Sequence, residues 1–340
     1  MSESRGTRRT VIRPGYPALM RYQPLGHSGL MVSVVGLGAN NFGRRLEVEA
    51  SRPVIEGALD AGINLIDTSD SYGSQPGASE TIIGSVLAAN GRRDDVVIAT
   101  KFGSDLSGSN GLDLGARASR RYIMRAVEAS LRRLQTDYID LYQLHFPDGI
   151  TPLAETLSAL NDLVVAGKIR YIGASNLAAW QVAEADWIAR DLGISRFISA
   201  QNHYSLLVRE IEAELVPCCV AHSVSVIPYF PLANGMLTGK WRRGEEPPAG
   251  SRLAEQRARS AVTSNERAFD VVEGLQSVAD EAGVPLVSVA IGALAAQPAV
   301  GSVIAGATSV EQVQANAAAS DFVPTAEQLR AIDEIAPPGR

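Results

Sequence analysis

Unbroken apolar runs alternate with stretches whose apolar residues recur at helix spacing along most of the chain. VSVVGLG (32–38) is the kind of run that a parallel strand buried on both faces produces. A helix is predicted around 47–61, where Val54, Ile55, Ala58 and Leu59 share one face. INLID (63–67) is strand-like again. The rhythm continues with a helix near 78–89, strand VVIATKF (96–102), helix 118–134, strand YIDLYQL (138–144) and helix 152–166. Strand IRYIGA (169–174), helix 178–191, strand RFISAQ (196–201), helix 207–221 and strand SVSVIPY (223–229) follow. Two helices, 264–282 and 286–296, precede the last strand, GSVIAG (301–306), after which a helix begins near Ser309 and another lies near 325–335.

Eight strands, each followed by helical material, imply a parallel sheet with right-handed crossovers. Eight units without a change of rhythm fit a closed barrel better than an open doubly wound sheet. The glycines of VGLGANNFG, at 36, 38 and 43, also lack the G-x-G-x-x-G spacing of a dinucleotide-binding turn. The predicted fold is therefore an α/β (β/α)8 TIM barrel, with residues 19–340 as its single domain. Residues 21–33, with Gly26, Ser28 and Gly29 between short extended stretches, read as an N-terminal β-hairpin plugging the bottom of the barrel. Residues 236–264 form a long loop after strand seven, placed to wall or cover an active site at the strands' C-terminal face. Residues 1–18, polar and Arg-rich without an apolar core, are expected to be a flexible tail rather than a secretory signal.

Composition narrows the function classes. With Lys+Arg 31 against Asp+Glu 37, the net charge of -6 argues against a general nucleic-acid surface. The two charge-free stretches, 215–239 and 282–310, are interrupted by Pro217, Pro228, Pro231, Pro285 and Pro298, so neither reads as a membrane span. Cys218 and Cys219 are neighbours and cannot staple a loop, which points to small buried side chains and a cytoplasmic protein. The basic residues are almost all arginine: the lysines are Lys101, Lys168 and Lys240.

In a barrel the C-terminal strand ends converge on one site. Asp67 ends strand two with Tyr72 five residues on, Lys101 ends strand three and His145 follows strand four. An Asp67–Lys101 pair would keep the lysine protonated, and that cation would lower the pKa of Tyr72. His145 beside Tyr72 could orient or polarise a carbonyl. The set suits an acid for an oxygen that becomes an alkoxide; a Schiff-base enzyme with Lys101 as nucleophile is the competing chemistry. Asn176, with Ser175, and Gln201 carry amides suited to reading a carboxamide. Tyr229 offers a flat face for a ring, and Gly306, Thr308 and Ser309 start a helix whose N–H groups suit an anion. Gln312 and Asn316 share a face of that helix.

The stretches NLIDTSDSYG, ATKFG, YIDLYQLHFPD, IRYIGASN, QNHYSLL, PYFPLANGMLTGK and GATSVEQVQAN, in this order, closely resemble the aldo-keto reductase superfamily. The resemblance covers the chain from Arg21 to about Pro324. It is closer to the bacterial aryl-alcohol and sugar-aldehyde reductases and the potassium-channel β-subunits than to mammalian aldose reductases. It implies an NADPH-dependent carbonyl reductase, with NADH possible and no metal, acting on a small aldehyde or ketone. Tyr72 would be the general acid, tuned by Lys101 and Asp67 and assisted by His145. Ser175, Asn176 and Gln201 would hold the nicotinamide carboxamide and Tyr229 would stack on its ring. Pro231, Leu232, Gly235 and Leu237 would line the nucleotide, and Gly306, Thr308, Ser309, Gln312 and Asn316 would meet its adenosine end.

The chain departs from the family's pattern in places. Phe230 stands where a serine is common, so backbone groups would carry its contact; Ala315 replaces a glutamate that reads adenine. Gly306 and Gln312 replace a lysine and an arginine that neutralise the 2′-phosphate, a charge that Arg252, Arg257 or Arg259 could supply instead. Asn40, Asn41, Phe42, Phe146 and Trp241 are candidate substrate-pocket walls. The channel-β resemblance also admits a non-catalytic NADPH-binding sensor or scaffold, and both monomers and symmetric assemblies suit such a barrel.

Overall fold

A computed structural model of the chain describes residues 20–247, 250–256 and 265–339. The expected N-terminal tail, and Arg257 and Arg259, lie outside the described residues. A two-stranded hairpin, β1 (Tyr22–Pro24) and β2 (Met31–Ser33), precedes the barrel. The barrel strands are β3 (Val35–Gly38), β4 (Leu65–Asp67), β5 (Val97–Phe102), β6 (Ile139–Leu144), β7 (Ile169–Ser175), β8 (Phe197–His203), β9 (Ser225–Tyr229) and β10 (Val303–Gly306). All eight run parallel, β10 beside β3 and the rest in chain order to β9. Between β9 and β10 closure is slimmer, through a bridge of Val226 to Val300.

The barrel interior is filled by Leu65, Val97, Ala99, Leu141, Ile198, Ile227 and Ile304, and the hairpin adds Leu25 and Val32 to the same cluster. The hairpin thus stops one end of the barrel, as its glycine-marked turn predicted. Gly26 makes this contact feasible: its φ is +58°, and a Cβ there would lie 2.2 Å from the carbonyl oxygen of Ile198. The larger core lies between the strands and the surrounding helices.

The surrounding helices among the described residues are α1 (Val48–Asp60), α2 (Ala78–Asn90), α3 (Arg120–Leu134), α4 (Leu153–Val165), α5 (Ala179–Leu192), α6 (Leu215–His222), a short α7 (Arg252–Gln256), α8 (Glu266–Ala282), α9 (Leu286–Ala295), α10 (Val310–Ala318) and α11 (Ala326–Ile335). Helix α3 shows why they form: Ile123, Ala126, Val127, Ser130, Leu131 and Leu134 make one buried stripe, and Ser119 caps its first turn by accepting from the Tyr122 N–H. Among the described residues no single helix is long and apolar enough to cross a membrane; α8 and α9 pass that test only jointly and are bent by 94°.

Two expectations change. The run 32–38 is not one strand, because Val32 and Ser33 pair with the hairpin and the barrel strand starts at Val35. The helix expected over 207–221 is a 3-10 turn at Glu210–Glu212 followed by α6. Pro217 sits in the first turn of α6, where no N–H is needed; a helix running through from 207 would bring its ring against the carbonyl four residues earlier.

Candidate active site

The strands end on a cleft of about 850 Å³. Asp67, at the tip of β4, borders it, and Lys101, in β5, lies buried against Asp67. Lys101 is wholly buried, and its ammonium donates to Asp67 Oδ2 at 2.7 Å, to the Thr68 carbonyl at 2.8 Å and to the Tyr72 hydroxyl at 3.4 Å. Asp67 Oδ1 accepts from Gln201 Nε2 at 2.9 Å and Gln143 Nε2 at 3.3 Å. Burial opposes the charge on Lys101, but Asp67 and Tyr72 more than offset it and hold the pKa above its ordinary value. The structure therefore brings the acid, the phenol and the lysine into one contact set.

The expected lowering of the Tyr72 pKa is reversed. Burial raises it and outweighs the opposing pull of Lys101, so the phenol is protonated at neutral pH. His145 stands edge-on to Tyr72, ring centroids 6.0 Å apart, and stacks on Phe146 at 4.5 Å. Burial first, and Lys101 second, push the His145 pKa down to about 2, which leaves the ring neutral.

Higher on the wall, Asn176 Nδ2 donates to the His145 carbonyl and to Ser175 Oγ, both at 3.0 Å, and Asn176 Oδ1 accepts from the Tyr229 hydroxyl at 2.9 Å. Ser175 Oγ donates to the Gln201 carbonyl at 2.8 Å. One face of Tyr229 is stacked by His203, 5.4 Å between centroids, and the residue borders the cleft. The backbone beyond β9 is strained: Phe230, Ala233 and Asn234 have φ of 52°, 46° and 59°. For Phe230 and Ala233 such left-handed geometry costs on the order of 1–3 kcal/mol each, and it recurs at functional clefts.

Pro231, Leu232, Gly235, Gly306, Thr308, Gln312, Ala315 and Asn316 border the same cleft, as do Asn40, Asn41, Phe146 and Trp241. Besides Lys101, which is buried behind the cleft wall, three anticipated residues do not. Leu237 and Phe42 turn wholly into the core. Ser309 caps α10 by accepting from the Gln312 N–H. The anion site foreseen there is also partly filled by the chain itself, because Gln312 Oε1 accepts from the Thr308 N–H at 2.9 Å. Glu311 hydrogen-bonds Ser309 and its own backbone, which draws its pKa down.

The long loop brings a cation to the cleft. Arg252 Nη2 donates to Asn40 Oδ1 and Asn41 Oδ1, each at 2.8 Å, and its guanidinium lies 5.6 Å from the Phe230 ring centre. Its Nη1 and Nε have no partner among the described residues. Burial, then Arg45 and Arg44, depress its pKa, the mark of a cation among cations. Sequence reasoning missed Ser69 and Ser104, whose hydroxyls lie 3.1 and 2.9 Å from His145 Nδ1. Both read as ordinary turn residues, and nothing local marks them.

Residues 34–337 match the Aldo/keto reductase family. The chain is 36% identical over 310 residues to a probable voltage-gated potassium channel subunit beta of Arabidopsis thaliana, covering 90% of this chain and 92% of that one. It is 36% identical over 340 residues to the versiconal hemiacetal acetate reductase of Aspergillus parasiticus, covering 93% and 96%. The uncharacterized oxidoreductase YrpG of Bacillus subtilis shares 35% over 322 residues, covering 94% and 96%. An acid, a phenol, a lysine and a histidine converging at the mouth of this barrel agree with those matches, and the chain belongs to the aldo/keto reductase family of oxidoreductases.

Proposed function

We propose that the protein is an NADPH-dependent carbonyl reductase acting on a small aldehyde or ketone, with Tyr72 as general acid. The carrying observation is the Tyr72 hydroxyl 3.4 Å from Lys101 Nζ, itself 2.7 Å from Asp67, beside a neutral His145. A bound dihydronicotinamide supplies the hydride that reduces the carbonyl carbon. Tyr72 gives its proton to the oxygen as alkoxide character develops, and the buried ammonium of Lys101 stabilises the tyrosinate left behind. His145 orients the carbonyl.

The wall fits a carboxamide. The side-chain NH2 groups of Asn176 and Gln201 are engaged by His145, Ser175 and Asp67, so the Gln201 oxygen, and the second lone pair of the Asn176 oxygen beside the Tyr229 hydroxyl, are left to accept from an amide. Tyr229 offers its open face to a ring. Arg252, with uncommitted donors, is the residue we assign to the nucleotide's 2′-phosphate, in place of the helix end that Gln312 and Glu311 occupy. Ser175, Pro231, Leu232, Gly235, Gly306, Thr308 and Asn316 complete this reading as cofactor contacts, in a protein acting in the cytoplasm.

The Schiff-base alternative is disfavoured because Lys101 is buried, protonated and held by three acceptors, with no lone pair to attack. A non-catalytic NADPH sensor would not require the proton donor to be assembled. Steady-state oxidation of NADPH and NADH against a panel of aldehydes and ketones tests the reading. Turnover with NADPH preferred is expected; tight nucleotide binding without turnover of any carbonyl would sink it.

A further inference from the structure

The surroundings of His145 are over-determined for a ring that merely packs. Its backbone N–H donates to the Phe102 carbonyl at 2.8 Å, its backbone carbonyl accepts from Asn176, and Phe146 and Tyr72 confine the ring. Position and plane are thereby set. A neutral imidazole has one freedom left: one nitrogen donates and the other accepts. Nε2 has no partner among the described residues, and the residue borders the cleft. Nδ1 meets two hydroxyls, Ser104 Oγ at 2.9 Å and Ser69 Oγ at 3.1 Å.

We propose that Ser104 and Ser69 are positioning residues that fix His145 as the Nε2–H tautomer, making the ring a hydrogen-bond donor toward the cleft. The Ser104 hydroxyl has no other partner among the described residues, and a hydrogen directed from it to Nδ1 leaves that nitrogen bare. Ser69 is tied in from behind. Its Oγ accepts from the Ser71 N–H at 3.2 Å and lies 2.9 Å from Ser71 Oγ; it can donate to Asp70 Oδ1 at 3.4 Å, a longer reach than the 3.1 Å to His145 Nδ1. Asp70 is wholly buried, and burial, then Glu80, pushes its carboxyl well above the usual carboxylate range, which weakens its pull on a proton at Nδ1. Burial, and after it the charge of Lys101, disfavour a second proton on the ring. With the tautomer so fixed, Nε2–H and the Tyr72 hydroxyl present two donors to one carbonyl oxygen. The opposite tautomer would aim a lone pair at that oxygen.

The catalytic consequence rests on the reductase reading, but the tautomer does not. Two-bond proton–nitrogen NMR on 15N-labelled protein reads it directly. The chain has four histidines, and His145→Gln identifies the signal. The wild type is expected to show Nε2–H, and Ser69→Ala/Ser104→Ala a tautomer mixture. In the double variant kcat should fall by about 10-fold with NADPH affinity unchanged, the order seen when a group orienting an imidazole is lost. Ser104→Thr, which keeps a hydroxyl, should restore both readouts. Nδ1–H in the wild type, or an unchanged tautomer in the double variant, overturns the proposal. Absence of turnover on every carbonyl would instead sink the reductase reading, leaving the spectrum to decide the tautomer.

Discussion

Replacing Asp67 by Asn removes one charge from the centre of the site and nearly nothing from its shape. Asp67 accepts from Lys101, Gln201 and Gln143 at 2.7, 2.9 and 3.3 Å. An asparagine can turn its oxygen toward Lys101, but its NH2 then faces the NH2 groups of both glutamines. Its other orientation sets NH2 against an ammonium. Either way a fully buried cation loses its counter-charge, which costs on the order of 3–5 kcal/mol. The half-exposed pair of Arg120 and Asp162 is the internal contrast, worth roughly 0–1 kcal/mol. The pH dependence carries the sharper signature. In the wild type the Lys101 pKa is raised, so its contribution is complete below the unfolded value and lost only as pH rises through the folded one. Without Asp67, burial acts with little opposition and the pKa falls below its unfolded value. Stability of Asp67→Asn should then increase with pH between the two, narrowing its deficit from about pH 7 to about pH 10. Urea denaturation of both proteins across that range measures this. A deficit within about 1 kcal/mol, or one that does not change with pH, would refute the reasoning.

Tyr72→Phe should lower kcat by about 100-fold or more while fluorescence titration shows unchanged NADPH affinity; full activity contradicts the assigned acid. Arg252→Ala should weaken NADPH by about 10-fold and leave NADH nearly unaffected, since only one carries the extra phosphate; equal loss for both would move the phosphate elsewhere. At Gly26, a Cβ 2.2 Å from the Ile198 oxygen and a φ of +58° make Gly26→Ala destabilising by at least about 2 kcal/mol in urea melts. For Asp186, burial opposes ionisation but hydrogen bonds from His222, Arg190 and Arg196 prevail and hold the pKa at about 2. Its folded value is depressed, so its stabilisation is present above the ordinary value of 3.8 and disappears as pH falls toward about 2. Asp186→Asn should flatten this acid limb of the unfolding profile, and an identical limb would contradict the assignment.

The barrel was legible because its strands are apolar on both faces and its helices on one, so the period switches at each boundary. Asp67, Lys101 and His145 stood out by the same logic, as polar groups ending runs with no solvated face. Side-chain direction in loops was not legible. Leu237 and Phe42 lie among cleft residues in sequence yet turn wholly into the core, because irregular backbone has no period to read. The Tyr72 shift was foreseen with the wrong sign, since spacing reveals the nearby cation but not the depth of burial. The helix start at Ser309 looked open because Gln312 reads as a cofactor contact and Glu311 as an ordinary surface residue, whereas both turn back onto the helix end. Ser69 and Ser104 were invisible for a related reason: they meet His145 across 76 and 41 positions of chain.

On the proposed reading, a hydride from the nicotinamide reaches a carbonyl carbon while Tyr72 protonates the oxygen. Reduction of an aldehyde with NADPH deuterated at the transferring position, followed by mass analysis of the alcohol, tests it most directly. The wild type should place deuterium on the carbinol carbon in step with nucleotide oxidation, and Tyr72→Phe should bind the nucleotide yet form almost no labelled alcohol. Nucleotide oxidation without label in the product, or labelled product from Tyr72→Phe at the wild-type rate, would contradict the account.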